Sequence, residues 1–277
     1  MNTHTFLPVI VAVAFVSNVS ATTLLDFGSN KLDFGNSTFS STGMANGNTA
    51  SDGGQFRWAN IISVDGRTLD LIAEVSGGQY KFANANNNGL NGEFGQINVN
   101  HSTNVEFTFT IVDTGTNNAV AASAWDFALF DLDTGNKGSN IESLSLVNNG
   151  AFQSYTVTND SELLIGGTYS EPNFTATTQG YGSDNPSDPA TLTALQENRA
   201  VLFSLTDTAS FTMVYNTTSG RSGRNFLFAG EAEFNGSTIT LPIPPTPPVA
   251  VPEPSSSMLL LGAGLGFIIR RKRKQEA

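Results

Sequence analysis

The sequence predicts an all-β protein, an antiparallel jelly-roll-like β-sandwich, on three observations. Short runs rich in Val, Ile, Phe and Thr recur along the chain, Asn-Gly and Asp-Gly dipeptides punctuate them, and an apolar period of 3.6 residues does not persist. A sheet with one face in a core and one in water needs side chains that alternate at period 2. Thr103 to Val112 does so: Val105, Phe107, Phe109 and Ile111 share one face, Glu106, Thr108 and Thr110 the other.

In chain order, the first element expected is an N-terminal signal helix. Phe6 to Val16 is an apolar run, and Val19-Ser20-Ala21 offers small residues for cleavage, so residues 1–21 read as a signal peptide, although its start has no Lys or Arg. Residues 22–240 form the expected ectodomain. Leu25-Asp26-Phe27-Gly28 recurs as Leu32-Asp33-Phe34-Gly35, and two copies are too few for a repeat architecture, so a chance strand–turn–strand duplication is expected. Phe56–Val64 and Thr68–Val75 flank Asp65-Gly66, a type I′ hairpin signal. Ile141–Val147 and Phe152–Val157 flank Asn148-Asn149-Gly150, and a second hairpin is expected there. Further strands are expected over Ala200–Leu205, Ser210–Tyr215 and Asn225–Phe234. One helix is expected over Ala190–Glu197, capped by Asp188 with Pro189 in its first turn.

Residues 241–254 carry seven prolines and cannot sit in a sheet centre. They predict an extended polyproline spacer of about 40 Å at roughly 3.1 Å per residue. Residues 255–269 are uncharged and predict a short transmembrane helix, about 22 Å at 1.5 Å per residue against a hydrocarbon core of about 30 Å. Arg270, Arg271, Lys272, Arg273 and Lys274, in the tail 270–277, form a basic stop-transfer block that orients the tail inward. Gly262 and Gly266 form a GxxxG step at which another helix can pack closely.

The triplet Pro252-Glu253-Pro254, the short apolar helix and the basic cluster together, in that order over residues 252–277, resemble the PEP-CTERM protein-sorting signal of exported bacterial proteins. The resemblance implies an inner-membrane-anchored precursor in a two-membrane envelope. It further implies an exosortase that reads Pro252, Glu253 and Pro254 and removes the tail, and a host that makes extracellular polysaccharide. Phe130-Asp131-Leu132-Asp133 and the stretch from Gly223 to Gly230 look like segments in the β-rich ectodomains of some proteins with this tail. That likeness carries no activity.

Composition narrows the chemistry. Eight Lys and Arg against 22 Asp and Glu leave the ectodomain near −14, which argues against a nucleic-acid partner. The chain has no cysteine, which excludes disulfides, thiolate metal sites and a cysteine nucleophile; outside the signal segment His101 is its one histidine.

The segment Trp125 to Glu142 is the most suggestive. Read as one extended strand, it puts Trp125, Phe127, Leu129, Asp131 and Asp133 on a single face, so two carboxylates continue a core face. A Ca²⁺ held by Asp131, Asp133, Asn136 and Glu142 would resolve this. The alternatives are a strand that ends at Phe130 with its acids in water, or pairing with Arg224 or Arg199. The spacing is not that of an EF-hand, because Gly135 and Asn136 stand in reversed order and no helices flank them.

Asp113-Thr114-Gly115 and Asp133-Thr134-Gly135 echo aspartic proteases, but twenty residues leave no room for two lobes. No acid pair is singled out for a glycosidase. Tyr169 and Tyr181 lie in loop-like segments and are the candidates for stacking on a glycan, whereas Trp58 and Trp125 lie in apolar strands and are expected in the core. The expectation is a non-catalytic surface or matrix protein with a structural, adhesive or glycan-binding role. The rival is a secreted hydrolase acting on exopolysaccharide.

Overall fold

A computed structural model describes residues 24–43, 53–147, 150–220 and 222–244. The expected signal helix, transmembrane helix and sorting-signal residues lie outside these. Fifteen strands form: β1 Thr38–Thr42, β2 Gln55–Val64, β3 Arg67–Gly78, β4 Gly89–Asn91, β5 Phe94–Val99, β6 Thr103–Asp113, β7 Ala122–Phe130, β8 Glu142–Val147, β9 Phe152–Thr158, β10 Leu163–Gly167, β11 Pro172–Ala176, β12 Val201–Thr208, β13 Ser210–Thr217, β14 Arg224–Ala229 and β15 Thr238–Pro242. They make two antiparallel sheets. One runs β1-β2-β3-β6-β13-β8-β11-β10, the other β15-β9-β12-β7-β14-β5-β4.

The β2–β3 hairpin turns at Asp65 and Gly66, whose φ angles of 51° and 73° are the left-handed pair a type I′ turn needs. The hairpin expected across residues 148–150 does not form. β8 pairs β13 and β11, whereas β9 pairs β12 and β15 in the other sheet. The chain therefore crosses between sheets there, as it does again from β12 to β13. The last long strand is shorter than expected, ending at Ala229.

The helix also starts later than expected. Asp188 accepts the Ala190 N–H at 2.8 Å in a local turn, and the helix, α1, spans Ala194–Asn198. Thr193 caps it through a reciprocal box with Gln196.

Each copy of Leu-Asp-Phe-Gly builds a turn with the same hydrogen bonds rather than a strand pair, although only Gly28 of the two glycines has a positive φ. Asp26 accepts the Gly28 N–H at 2.8 Å and Asp33 accepts the Gly35 N–H at 2.9 Å, while Leu25, Phe27, Leu32 and Phe34 are buried.

Between the sheets lies the main core, as the alternation requires. Aromatic rings run through it in contact: Trp58 with Phe228 at 5.0 Å, Phe228 with Phe127 at 5.3 Å, Phe127 with Phe211 at 4.8 Å and Phe211 with Phe152 at 5.5 Å. Such edge-to-face and offset pairs add about 0.5–1.5 kcal/mol each beyond area burial. Trp58 and Trp125 are both buried, as expected. A smaller cluster on the other side of the β7 sheet packs Phe94, Phe130 and Leu227 under Leu192. β15 runs into the segment expected to be spacer, with Leu241 and Pro242 opposite Tyr155 and Ser154. An edge strand tolerates the proline because its outer side needs no donor.

Candidate functional site

Where β7 ends, the backbone turns. Asp131 takes a left-handed φ of 61°, and Asp131, Leu132 and Asp133 are all buried, continuing the unbroken burial of Phe127 to Phe130, where β7 is covered on both faces. Asp133 then closes a turn by accepting the Gly135 N–H at 2.6 Å. The loop returns to β8 through the Asn140 N–H to Thr134 carbonyl at 3.1 Å and the Glu142 N–H to Asp133 carbonyl at 3.2 Å.

This brings Asp131, Asp133 and Glu142 into one buried cluster. Glu142 Oε2 accepts the Asp133 N–H at 2.9 Å. Arg224, at the start of β14, donates from Nη2 to Asp133 Oδ1 and, at 3.0 Å, to Glu142 Oε2. The Tyr215 hydroxyl on β13 donates to Glu142 Oε1. The cluster is covered by the loop after β11: the Thr134 N–H reaches the Thr178 carbonyl at 2.8 Å, and Arg199 reaches the Gln179 carbonyl at 2.7 Å and Glu162 at 2.8 Å.

Three carboxyls face one directly paired guanidinium. Burial first, then repulsion from Glu142 and Asp133, pushes the Asp131 carboxyl up to about 8, against the pull of Arg224 and Arg199. Burial also raises Glu142, and Arg224 offsets it in part. Arg224 itself is held more firmly protonated: burial disfavours its charge, but Glu142 and Asp133 outweigh that. Arg224 Nε, Asn140 Oδ1 and Arg199 Nη1 are buried without a hydrogen-bond partner.

Of the four residues expected to ligate calcium, three meet here and Asn136 stays exposed on the loop; Asn140 is the buried amide. The position between Asp133 and Glu142 is taken by Arg224, and among the described residues no group of three or more His, Cys, Asp or Glu is placed to hold a metal ion. Sequence reasoning named Arg224 only as an alternative partner and missed Tyr215 and Asn140. The signal for Tyr215 was available: it falls on the inward set of β13, with Phe211 and Met213.

The other aspartate of the two Asp-Thr-Gly runs, Asp113, binds Arg67 at 2.6 Å. A second buried acid, Asp70, is held by Arg57, the Asn60 and Gly115 amides and the Thr114 hydroxyl. Burial alone would raise it, but these bonds hold it below the usual carboxylate range.

Tyr169 and Tyr181 do not share a site. Tyr169 is 58% exposed on a tight turn closed by Thr168 and Glu171, at the rim of a shallow groove of about 280 Å³ lined also by Tyr155, Ile165 and Pro172. Tyr181 is 54% exposed in the loop that covers the acid cluster, its N–H bound to Asp184. A second cavity, of about 150 Å³, opens at the first Leu-Asp-Phe-Gly turn beside Asn30, Lys31, Trp125 and Asp126.

Among curated proteins none matches the chain. Among solved structures it is similar to the N-terminal domain of the Streptococcus gordonii adhesin Sgo0707, with a TM-score of 0.44 and 13% identity over 65% of this chain. The similarity spans 47% of that structure's length. Residues 250–274 match the PEP-CTERM protein-sorting motif, a span that includes Pro252-Glu253-Pro254, Gly262, Gly266 and the basic residues from Arg270 to Lys274. The chain thus carries a PEP-CTERM sorting signal, which marks an exported surface protein that is made as a membrane-anchored precursor and processed by an exosortase.

Proposed function

We propose that the body is a non-catalytic, adhesive or glycan-binding module on a jelly-roll-like sandwich, held at the cell surface or in the extracellular matrix. The observation that carries this is Tyr169, a large aromatic side chain exposed at the rim of a groove whose other lining side chains are uncharged. An exposed ring over such a groove suits the C–H face of a neutral sugar. The repeated crossing of the chain between sheets favours the jelly-roll wrap.

In this reading the buried acid cluster is structural. It ties the ends of β7, β8, β13 and β14 together with Arg224 as its counter-charge, and calcium is the alternative. Extracellular polysaccharide is the natural partner. The test is a glycan array probed with the full-length protein and with Tyr169→Ala. Binding to neutral glycans that falls at least tenfold in the variant supports the reading; equal binding by both proteins, or none by either, overturns it.

A further inference from the structure

A sheet edge is a row of unpaired backbone groups, and stable proteins blunt it with charge, proline or short length. The described edges differ in this respect. β4 has three residues, β15 ends in Pro242, and β1 is Ser/Thr-rich with Phe39 stacked on Phe56. β10 is Leu163-Leu164-Ile165-Gly166-Gly167, without charge or proline, and pairs on one side only, with β11. Leu164 is 63% and Ile165 37% exposed.

The register shows what the free side offers. The Thr177 N–H donates to the Glu162 carbonyl, and Thr168 and Glu171 bond each other at 3.2 Å, so the even-numbered residues 162 to 168 turn toward β11. Leu163, Ile165 and Gly167 turn their backbone groups outward, with the Leu163 N–H held by Ser161 Oγ at 3.2 Å. β10 turns away at Gly167, whose φ is 78°.

We propose that β10 is a self-association edge, at which two copies of this chain pair antiparallel about a two-fold axis through Ile165 and join their larger sheets into one. The strand is complementary to itself. That axis sets Leu164 opposite the partner's Gly166, Leu163 opposite the partner's Gly167, and Ile165 opposite the partner's Ile165, so each leucine meets a glycine. Cross-strand partners keep to the same face of the sheet, as an antiparallel pair requires. Ile165 of each copy would then be covered where it now lines the open groove beside Tyr155.

The charges agree. Two bodies near −14 repel at most contacts, but β10 itself holds no acid, and this register puts Glu162, just before the strand, opposite the partner's Thr168. No acid meets an acid along the seam. The seam and the proposed glycan groove share Ile165, Gly166 and Gly167, so a paired edge would narrow that groove; association is read below without any glycan, which keeps its failure distinguishable from that of glycan binding.

The chain has no cysteine, so a single introduced thiol reports one contact. An antiparallel hydrogen-bonded pair places Cα atoms about 5.5 Å apart, within disulfide reach. Full-length protein in detergent carrying Ile165→Cys is oxidised at low concentration beside Leu90→Cys, an exposed position on the β4 edge. In parallel, wild type and Ile165→Lys are compared by sedimentation. The expected result is a covalent dimer from Ile165→Cys only, and a twofold drop in mass from wild type to Ile165→Lys. A monomeric wild type, or a dimer that survives Ile165→Lys with no cross-link at residue 165, overturns the proposal.

Discussion

Arg224 Nη2 binds Asp133 and Glu142 together, and those two acids are themselves joined by the Asp133 N–H to Glu142 Oε2 bond at 2.9 Å. One guanidinium thus closes a loop, fixes the first residue of β8 and ties both to the start of β14.

Removing that guanidinium strands two buried carboxylates. Arg224→Ala is expected to destabilise the fold by about 3–5 kcal/mol, the usual loss when one partner of a buried ion pair is deleted. Urea denaturation measures it. A loss under about 1 kcal/mol would mean that the acids reach water and the pairing is incidental.

The acid cluster also sets a pH dependence. The Asp131 carboxyl lies near 8 in the fold against 3.8 ordinarily, so it binds its proton more tightly when folded. Its contribution is fully present below about pH 4 and is lost as pH rises toward 8, with a slope of up to about 1.4 kcal/mol per pH unit. Glu142, also raised by burial, acts in the same direction. Melting temperature should fall from pH 5 to pH 8.5, and Asp131→Asn should flatten the fall and exceed wild type at pH 8.5. A variant that melts below wild type at both pH values would show that the carboxylate is needed ionised.

With Arg224 between Asp133 and Glu142, millimolar Ca²⁺ is expected to leave the melting temperature unchanged. Calorimetry with and without chelator decides it; a rise abolished by Asp133→Ala would reinstate the metal.

In the core, Phe127 contacts Phe109, Phe211 and Phe228 within about one ring diameter. Phe127→Ala is expected to cost about 3–5 kcal/mol by lost burial and the cavity left behind. A chain without disulfides has no cross-link to offset that, so the midpoint in urea should drop steeply. A change below about 1.5 kcal/mol would indicate that the neighbouring rings collapse into the space.

Strands such as β2, β3, β6 and β13 and the placement of both tryptophans were legible because apolar runs and period-2 alternation are imposed residue by residue, whereas β1, β4, β5, β10 and β11 were not expected. The crossing at residues 148–150 was not. An Asn-Asn-Gly run specifies a local bend, and nothing local says whether the next strand returns to its own sheet or passes to the other. The acid cluster was half legible. Asp131, Asp133 and Glu142 stood out as acids on a core-like segment, but the chain is buried without alternation from Phe127 to Asp133, and Arg224 is 91 residues from Asp133. The helix start was readable and misread: Thr193 and Gln196 spell a capping box, while Asp188 spends its carboxylate on the Ala190 amide.

β15 is the strand that leads to the sorting tail, and this gives the sandwich a mechanical weak axis. Tension on a copy held by its C-terminus enters through Ile243, which is buried and bonded to the Gln153 carbonyl at 2.8 Å, and then through the pairs from Pro242 to Thr238 along β9. Because β15 is an edge, it can peel away while β9 and β12 stay joined. The first apolar contacts to go would be those of Ile243 and Leu241 at the margin of the core, ahead of the rings between the central strands.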